Sequence, residues 1–169
     1  LYALEIPEEG GDTIFADLAA AYEALTHEQQ LNLERLRVRQ QYRWSRDRSH
    51  VEARWNLLNE TEREKTPEVT HPLVRTHPET GRKGLFISNA VSTGIKNILD
   101  MAPDASQALI DELFIHTDDP RFHVRHKWQV GDLLIWDNRT LMHKATTDVL
   151  PPDKFRTLYR INTTGTAPY

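Results

Sequence analysis

Leu133-Leu-Ile-Trp-Asp-Asn-Arg-Thr-Leu-Met-His143 joins four consecutive apolar residues to a dense polar set. A short unbroken apolar run bounded by turn residues reads as a buried strand, and Val130-Gly-Asp132 supplies the turn before it. His143 then lies close after a rigid element, a good position for a metal ligand or a general base. A lone histidine is more often a surface or core residue, so both readings stand at this point.

Working outward, residues 122–128 alternate apolar and polar and read as a strand, and residues 156–162 read as the last one. Leu109, Ile110, Leu113 and Phe114 have helical spacing within a helix over 105–115. Residues 71–75 and 84–88 read as two strands, joined through a segment with Pro78 and Gly81 as turn residues. Near the start, residues 1–6 and 13–15 read as strands around the turn Pro7-Glu-Glu-Gly-Gly-Asp12. Asp17 is placed to cap a helix over 18–25. Thr26 with Gln29 forms a capping-box pattern for a second helix, after which Leu31, Leu33, Leu36 and Val38 supply apolar positions. Strands dominate both ends and helices interrupt them. That pattern predicts a single domain over 1–169, mainly β with helical insertions, rather than a βαβ repeat.

Residues 39–70 are polar and charge-rich, with Tyr42, Trp44 and Trp55 interleaved, and read as an insertion or lid. Arg43, Arg46, Arg48 and Arg54 beside aromatics would suit nucleic-acid stacking, but Asp47, Glu52, Glu60, Glu62 and Glu64 dilute the charge, so a solvated surface is expected. His116-Thr-Asp118 has the His-x-Asp spacing of an iron site, yet it follows a helix and precedes Asp119-Pro120, so it reads as a turn.

Composition limits the function classes. The 169 residues carry 21 basic and 25 acidic side chains, a net charge of −4, which disfavours a strongly basic nucleic-acid binder. Mean hydropathy is −0.62, with 38% hydrophobic and 27% charged residues, in keeping with a globular rather than a mostly disordered chain. There is no cysteine, which excludes disulfides, thiolate–zinc sites, iron–sulfur clusters and thiol catalysis from this chain. No stretch approaches the ~20 apolar residues of a membrane helix, and no signal peptide is visible, so a cytoplasmic location is the default expectation. Residue 1 is Leu within a strand pattern, which reads as a piece of a longer chain.

Arg156 and Arg160 lie four apart and would share a face on a helix or on a strand. Paired guanidinium groups near a candidate metal ligand suit planar anionic groups; pairing with local acids such as Asp148 or Asp153 is the alternative. Gly10-Gly-Asp-Thr13 lacks the spacing and the lysine of a phosphate loop and reads as a turn, after which Thr13 could point a hydroxyl into a pocket. A Ser-His-Asp hydrolase has little support, since no GxSxG occurs.

Several motifs together resemble one family in its order. They are Leu1-Tyr-Ala with Pro7-Glu-Glu-Gly-Gly-Asp-Thr13, Ala20-Ala-Tyr-Glu-Ala-Leu25, His71-Pro-Leu-Val-Arg-Thr-His-Pro78 with Gly81, Leu85-Phe86, Val130-Gly-Asp132, Trp136-Asp-Asn-Arg139 with His143, and Arg156-x-x-x-Arg160. The set is similar to the C-terminal two-thirds or so of the Fe(II)/2-oxoglutarate-dependent TauD/TfdA dioxygenases. The resemblance implies a double-stranded β-helix, or jelly roll, incomplete at the N-terminus. It implies that His143 is the distal iron ligand and that Thr13 and Arg156 hold the far carboxylate of 2-oxoglutarate. Arg160 would face the acidic group of the substrate, Trp136 would lie near the metal, and Asn138 and Arg139 would hold the site's shape.

The implied reaction uses Fe(II), 2-oxoglutarate and O2 to hydroxylate a small acidic organic substrate, a sulfonate, sulfate ester or aryloxy acid, with release of succinate and CO2. Neither nucleic acid nor membrane is an expected partner, and homo-oligomers are common in the family. The family's His-x-Asp pair is absent from the chain and is expected upstream of Leu1. Val91 stands where the taurine enzyme has an aromatic residue. The alternative is a non-catalytic jelly-roll protein that binds 2-oxoglutarate or another small acid.

Overall fold

The computed structural model describes residues 1–42, 59–90, 93–147, 150–151 and 153–169. Its strands are β1 (Tyr2–Glu5), β2 (Thr13–Asp17), β3 (Arg37–Tyr42), β4 (Val69–Pro72), β5 (Val74–Thr76), β6 (Lys83–Leu85), β7 (Asn89–Ala90), β8 (Thr93–Ile98), β9 (His123–His126), β10 (Leu141–Ala145) and β11 (Thr157–Tyr159). Helices α1 (Leu18–Glu23), α2 (His27–Glu34), α3 (Glu60–Glu64) and α4 (Pro103–Thr117) are set between them. Every strand pair among the described residues is antiparallel.

Local chemistry sets the helix starts. Asp17 stays extended and its carboxylate accepts from the backbone N–H of Ala19 and Ala20, both at 2.9 Å, so the strand turns directly into α1. Thr26 and Gln29 close the reciprocal capping box of α2. Pro103 opens α4, where a missing N–H costs nothing. The helix buries Ser106, Ile110, Leu113 and Thr117, a stripe at helical spacing.

That stripe meets the four-stranded sheet β4-β3-β8-β7. Val38, Leu73, Leu85, Ile95, Ile98 and Ile110 are essentially inaccessible and form the centre of the core. The Ser106 hydroxyl accepts the backbone N–H of Ile98 at 2.7 Å and so ties α4 to β8 in the interior. Gly84 lets β6 lie against α1: a Cβ there would stand 3.3 Å from the Ala19 backbone.

Three sequence readings need correction. Residues 133–136 do not form a buried strand: Leu133 is 68% exposed and Ile135 83% exposed. Their backbone joins β1 by one bridge, Leu133 to Tyr2, flanked by bonds between Leu134 and Leu1. The expected strand over 71–75 divides at Leu73, where the chain leaves β3 and begins the β5–β6 hairpin. The last strand is shorter than 156–162, so Arg156 and Arg160 flank β11 rather than share its face.

The segment 39–70 begins and ends inside the sheet: Arg39 pairs with Thr70 and Gln40 with Val69, and Gln40 is buried. Residues 43–58, with Trp44, Trp55 and all four arginines of the basic cluster, lie outside the described residues, as do Val91 and Asp148. No helix among the described residues is long and apolar enough to cross a membrane.

Candidate functional site

The site is built on the three-stranded sheet β10-β2-β9. Side chains alternate across a strand, so Thr13 and Phe15 point to one face of β2. Register places His143 and Val124 on either side of Phe15, and Ala145 and His126 on either side of Thr13. One row therefore carries the imidazole of His143, and the next row carries the hydroxyl of Thr13.

Thr13 is 2% exposed, and its Oγ1 accepts two hydrogen bonds. Trp128 Nε1–H donates at 2.9 Å and Arg156 Nη2–H at 3.0 Å. A hydroxyl has two lone pairs and one proton, so with both lone pairs used, the Thr13 proton is what remains to offer. The Arg156 guanidinium lies 5.5 Å from the centre of the Trp128 ring, and its Nε is buried with no partner among the described residues. An unpaired donor of this kind carries its desolvation cost until an acceptor arrives. Burial also lowers the Arg156 pKa, against a smaller opposing pull from Asp12, whose carboxylate already binds Arg125 at 2.7 Å.

Gly11 makes room for this arrangement. Its φ is +70°, and a Cβ there would stand 3.1 Å from Arg156 Cδ. Thr13, Arg156 and Gly11 thus form a cradle with positive charge, an unpaired N–H and a spare hydroxyl proton. These fit a carboxylate, which accepts two parallel bonds from a guanidinium.

His143 is exposed as a residue, yet its ring packs 4.9 Å from Trp136 and 5.9 Å from Phe15, centre to centre. Desolvation by this packing, and then the charge of Arg160, lower its pKa, which favours the neutral imidazole that a metal requires. Among the described residues no group of three His, Cys, Asp or Glu could hold a metal ion. His143 is one donor, and these residues alone do not make an iron site. His116 and Asp118 do not supply it: His116 is in the last turn of α4 and bonds the Ala21 carbonyl at 2.8 Å, and Asp118 caps that helix.

Arg160 lines a cleft of about 880 Å³ with Trp136, and its Nε donates to Asn162 Oδ1 at 3.1 Å. Among the described residues neither Arg156 nor Arg160 pairs with Asp153. Asn138 accepts from Trp136 Nε1 at 2.8 Å, and Arg139 clasps Asp137 and Glu79.

Sequence reading passes over Trp128, His77, Asp137 and Arg75. His77 is buried, and its Nδ1 accepts the backbone N–H of Glu79 and Thr80. Nε2 therefore carries the proton and donates to Asp137 Oδ2 at 3.1 Å. The Arg139 hydrogen bonds, first among several causes, hold the Asp137 carboxyl well below the usual carboxylate range. The available signal is the charge of Arg75 and the polar ring of His77 beside the apolar run Leu73-Val74, since polar groups beside core positions need partners.

One antiparallel sheet thus presents an arginine–threonine cradle beside a packed imidazole. Comparison with known proteins gives it a family: residues 1–162 match the model of the taurine catabolism dioxygenase TauD, TfdA family, and the chain belongs to that family. It is 38% identical over 149 residues to the alpha-ketoglutarate-dependent 2,4-dichlorophenoxyacetate dioxygenase of Cupriavidus pinatubonensis, covering 86% of this chain and 48% of that protein. It is 33% identical over 168 residues to an alkylsulfatase of Acinetobacter baylyi, covering 98% of this chain and 51% of the relative. The crystal structure of AAD-2 in complex with Mn(II) and N-oxalylglycine matches with a TM-score of 0.80 at 30% identity, over 98% of this chain and 62% of that one. The chain spans about half the length of the curated relatives it matches.

Proposed function

We propose that the chain is part of an Fe(II)/2-oxoglutarate-dependent dioxygenase built on a double-stranded β-helix, acting on a small sulfonate, sulfate ester or aryloxy acid. The observation that carries this reading is the buried Thr13–Arg156 pair with its unpaired Nε. Arg156 and Thr13 hold the far carboxylate of 2-oxoglutarate by charge and by two kinds of donor. Trp128 stacks on the guanidinium and fixes the Thr13 oxygen. Arg160, whose charge acts on His143, orients the substrate's acid group. Phe15 and Trp136 pack against the His143 imidazole and fix its direction. The names of the relatives, which include a 2,4-dichlorophenoxyacetate dioxygenase and an alkylsulfatase, support an acidic substrate.

These residues do not by themselves account for the metal chemistry, because a metal at His143 needs donors beyond those described. The family's His-x-Asp pair is the expected source. The test is succinate release from the full-length protein with Fe(II), 2-oxoglutarate and O2 over a panel of the three acid classes. Succinate formed with one class supports the dioxygenase. Saturable 2-oxoglutarate binding without succinate favours a binding protein, the reading that a single metal donor among the described residues favours. Neither binding nor succinate overturns both.

A further inference from the structure

Arg75 lies on β5, away from the Thr13–Arg156 cradle, and is 8% exposed. Its Nε is buried and has no hydrogen-bond partner among the described residues. Its Nη2 reaches one backbone carbonyl, that of Thr166, at the long distance of 3.5 Å. The guanidinium stands 5.3 Å from the centre of the Phe86 ring, which offers a weak π-face and no charge. Among the described residues no carboxylate forms an ion pair with it.

The nearest charged groups do not neutralise Arg75. Asp137 already accepts from Arg139 at 2.6 to 2.9 Å and from His77, and Glu79 accepts from Arg139 at 2.9 Å. Burial, and then the like charge of Arg139, lower the Arg75 pKa, against smaller opposing pulls from Asp137 and Tyr169. Arg75, Arg139 and Arg160 all line the 880 Å³ cleft, and the acids lining it, Glu79 and Asp137, are both engaged by Arg139. Neither Thr13 nor Arg156 lines this cleft. A buried guanidinium without a paired counter-charge is costly, and an anion in the cleft that Arg75 lines would supply that charge.

We propose that Arg75 anchors a second oxyanion subsite in this cleft, one that takes a sulfate, sulfonate or carboxylate group. The group is either a free inorganic oxyanion or one end of a two-ended organic acid whose other end meets Arg160. The subsite stands on the cleft alone and holds whether or not the protein turns over 2-oxoglutarate.

The test follows the arginine Nε–H signals of the full-length protein by heteronuclear NMR, at constant ionic strength, as sodium sulfate replaces sodium chloride. The Arg75 signal is assigned by its loss in Arg75→Lys, which keeps the charge and removes Nε. The subsite predicts a saturable shift of that signal with sulfate. A free-ion site keeps the same midpoint in Arg160→Met. A two-ended ligand shows instead as a short alkane disulfonate binding about tenfold tighter than sulfate, a gain of about 1.4 kcal/mol, with that gain lost in Arg160→Met. A signal that stays in place, moves without saturating, or responds equally to chloride overturns the proposal.

Discussion

Arg156 Nη2 donates to Thr13 Oγ1 at 3.0 Å across 143 residues of sequence. The contact joins the residue before the last strand to the first residue of β2, and it places a positive charge on the sheet face that also carries His143. Thr13→Val keeps the shape and removes the oxygen, so Trp128 Nε1 and Arg156 both lose an acceptor. The expected cost is about 1–3 kcal/mol of stability per donor left buried, together with weaker binding of 2-oxoglutarate. Urea denaturation and a 2-oxoglutarate titration of the same variant measure the two effects.

Gly11→Ala places a side chain at φ +70° and 3.1 Å from Arg156 Cδ. The backbone strain alone costs on the order of 1 kcal/mol. Because Arg156 must also shift, 2-oxoglutarate binding should weaken more than it does in Gly81→Ala, where the φ is also positive at +71° but nothing lies within 4 Å. Equal binding in the two variants would show that Gly11 does not serve the cradle.

Asp137 links the loop that carries Trp136 to His77 and Arg139. Its folded pKa lies below the unfolded value of about 3.9, so its contribution to stability is complete above the unfolded value and is lost progressively as pH falls from there toward the folded value. Asp137→Asn should therefore be less stable than the parent near neutrality, with the difference shrinking on acidification. Urea midpoints from pH 6 down to about pH 3 check the sign. A difference that grows toward low pH would contradict it.

Ser106→Ala removes the acceptor of the buried Ile98 N–H. The expected loss is about 1–3 kcal/mol with no change in ligand binding, since the contact ties α4 to β8 away from the cradle. Thermal unfolding measures it.

Locally coded features are legible in the sequence. The Asp17 cap and the Thr26–Gln29 box depend on residues within three positions of each other, and both form. Thr13 and Arg156 each stand out in the sequence, but their contact spans most of the chain, and only the family resemblance pairs them. Leu133-Leu-Ile-Trp136 misleads because an all-apolar run states no face: burial depends on what packs over it, and Leu133 and Ile135 remain open to solvent. A shared face for Arg156 and Arg160 requires a strand through both, and the pairing of β11 with β1 stops at Tyr159. His77 and Asp137 meet across 60 residues, a separation that no periodicity reports.

The central claim is that the Arg156 guanidinium binds the far carboxylate of 2-oxoglutarate. Calorimetric titration of 2-oxoglutarate into the full-length protein and its Arg156→Met variant tests it directly. Loss of a buried charge-assisted pair corresponds to about 1.5–3 kcal/mol, so the account predicts saturable binding in the parent and a Kd raised about tenfold or more in the variant. An unchanged Kd in a folded Arg156→Met variant would contradict it.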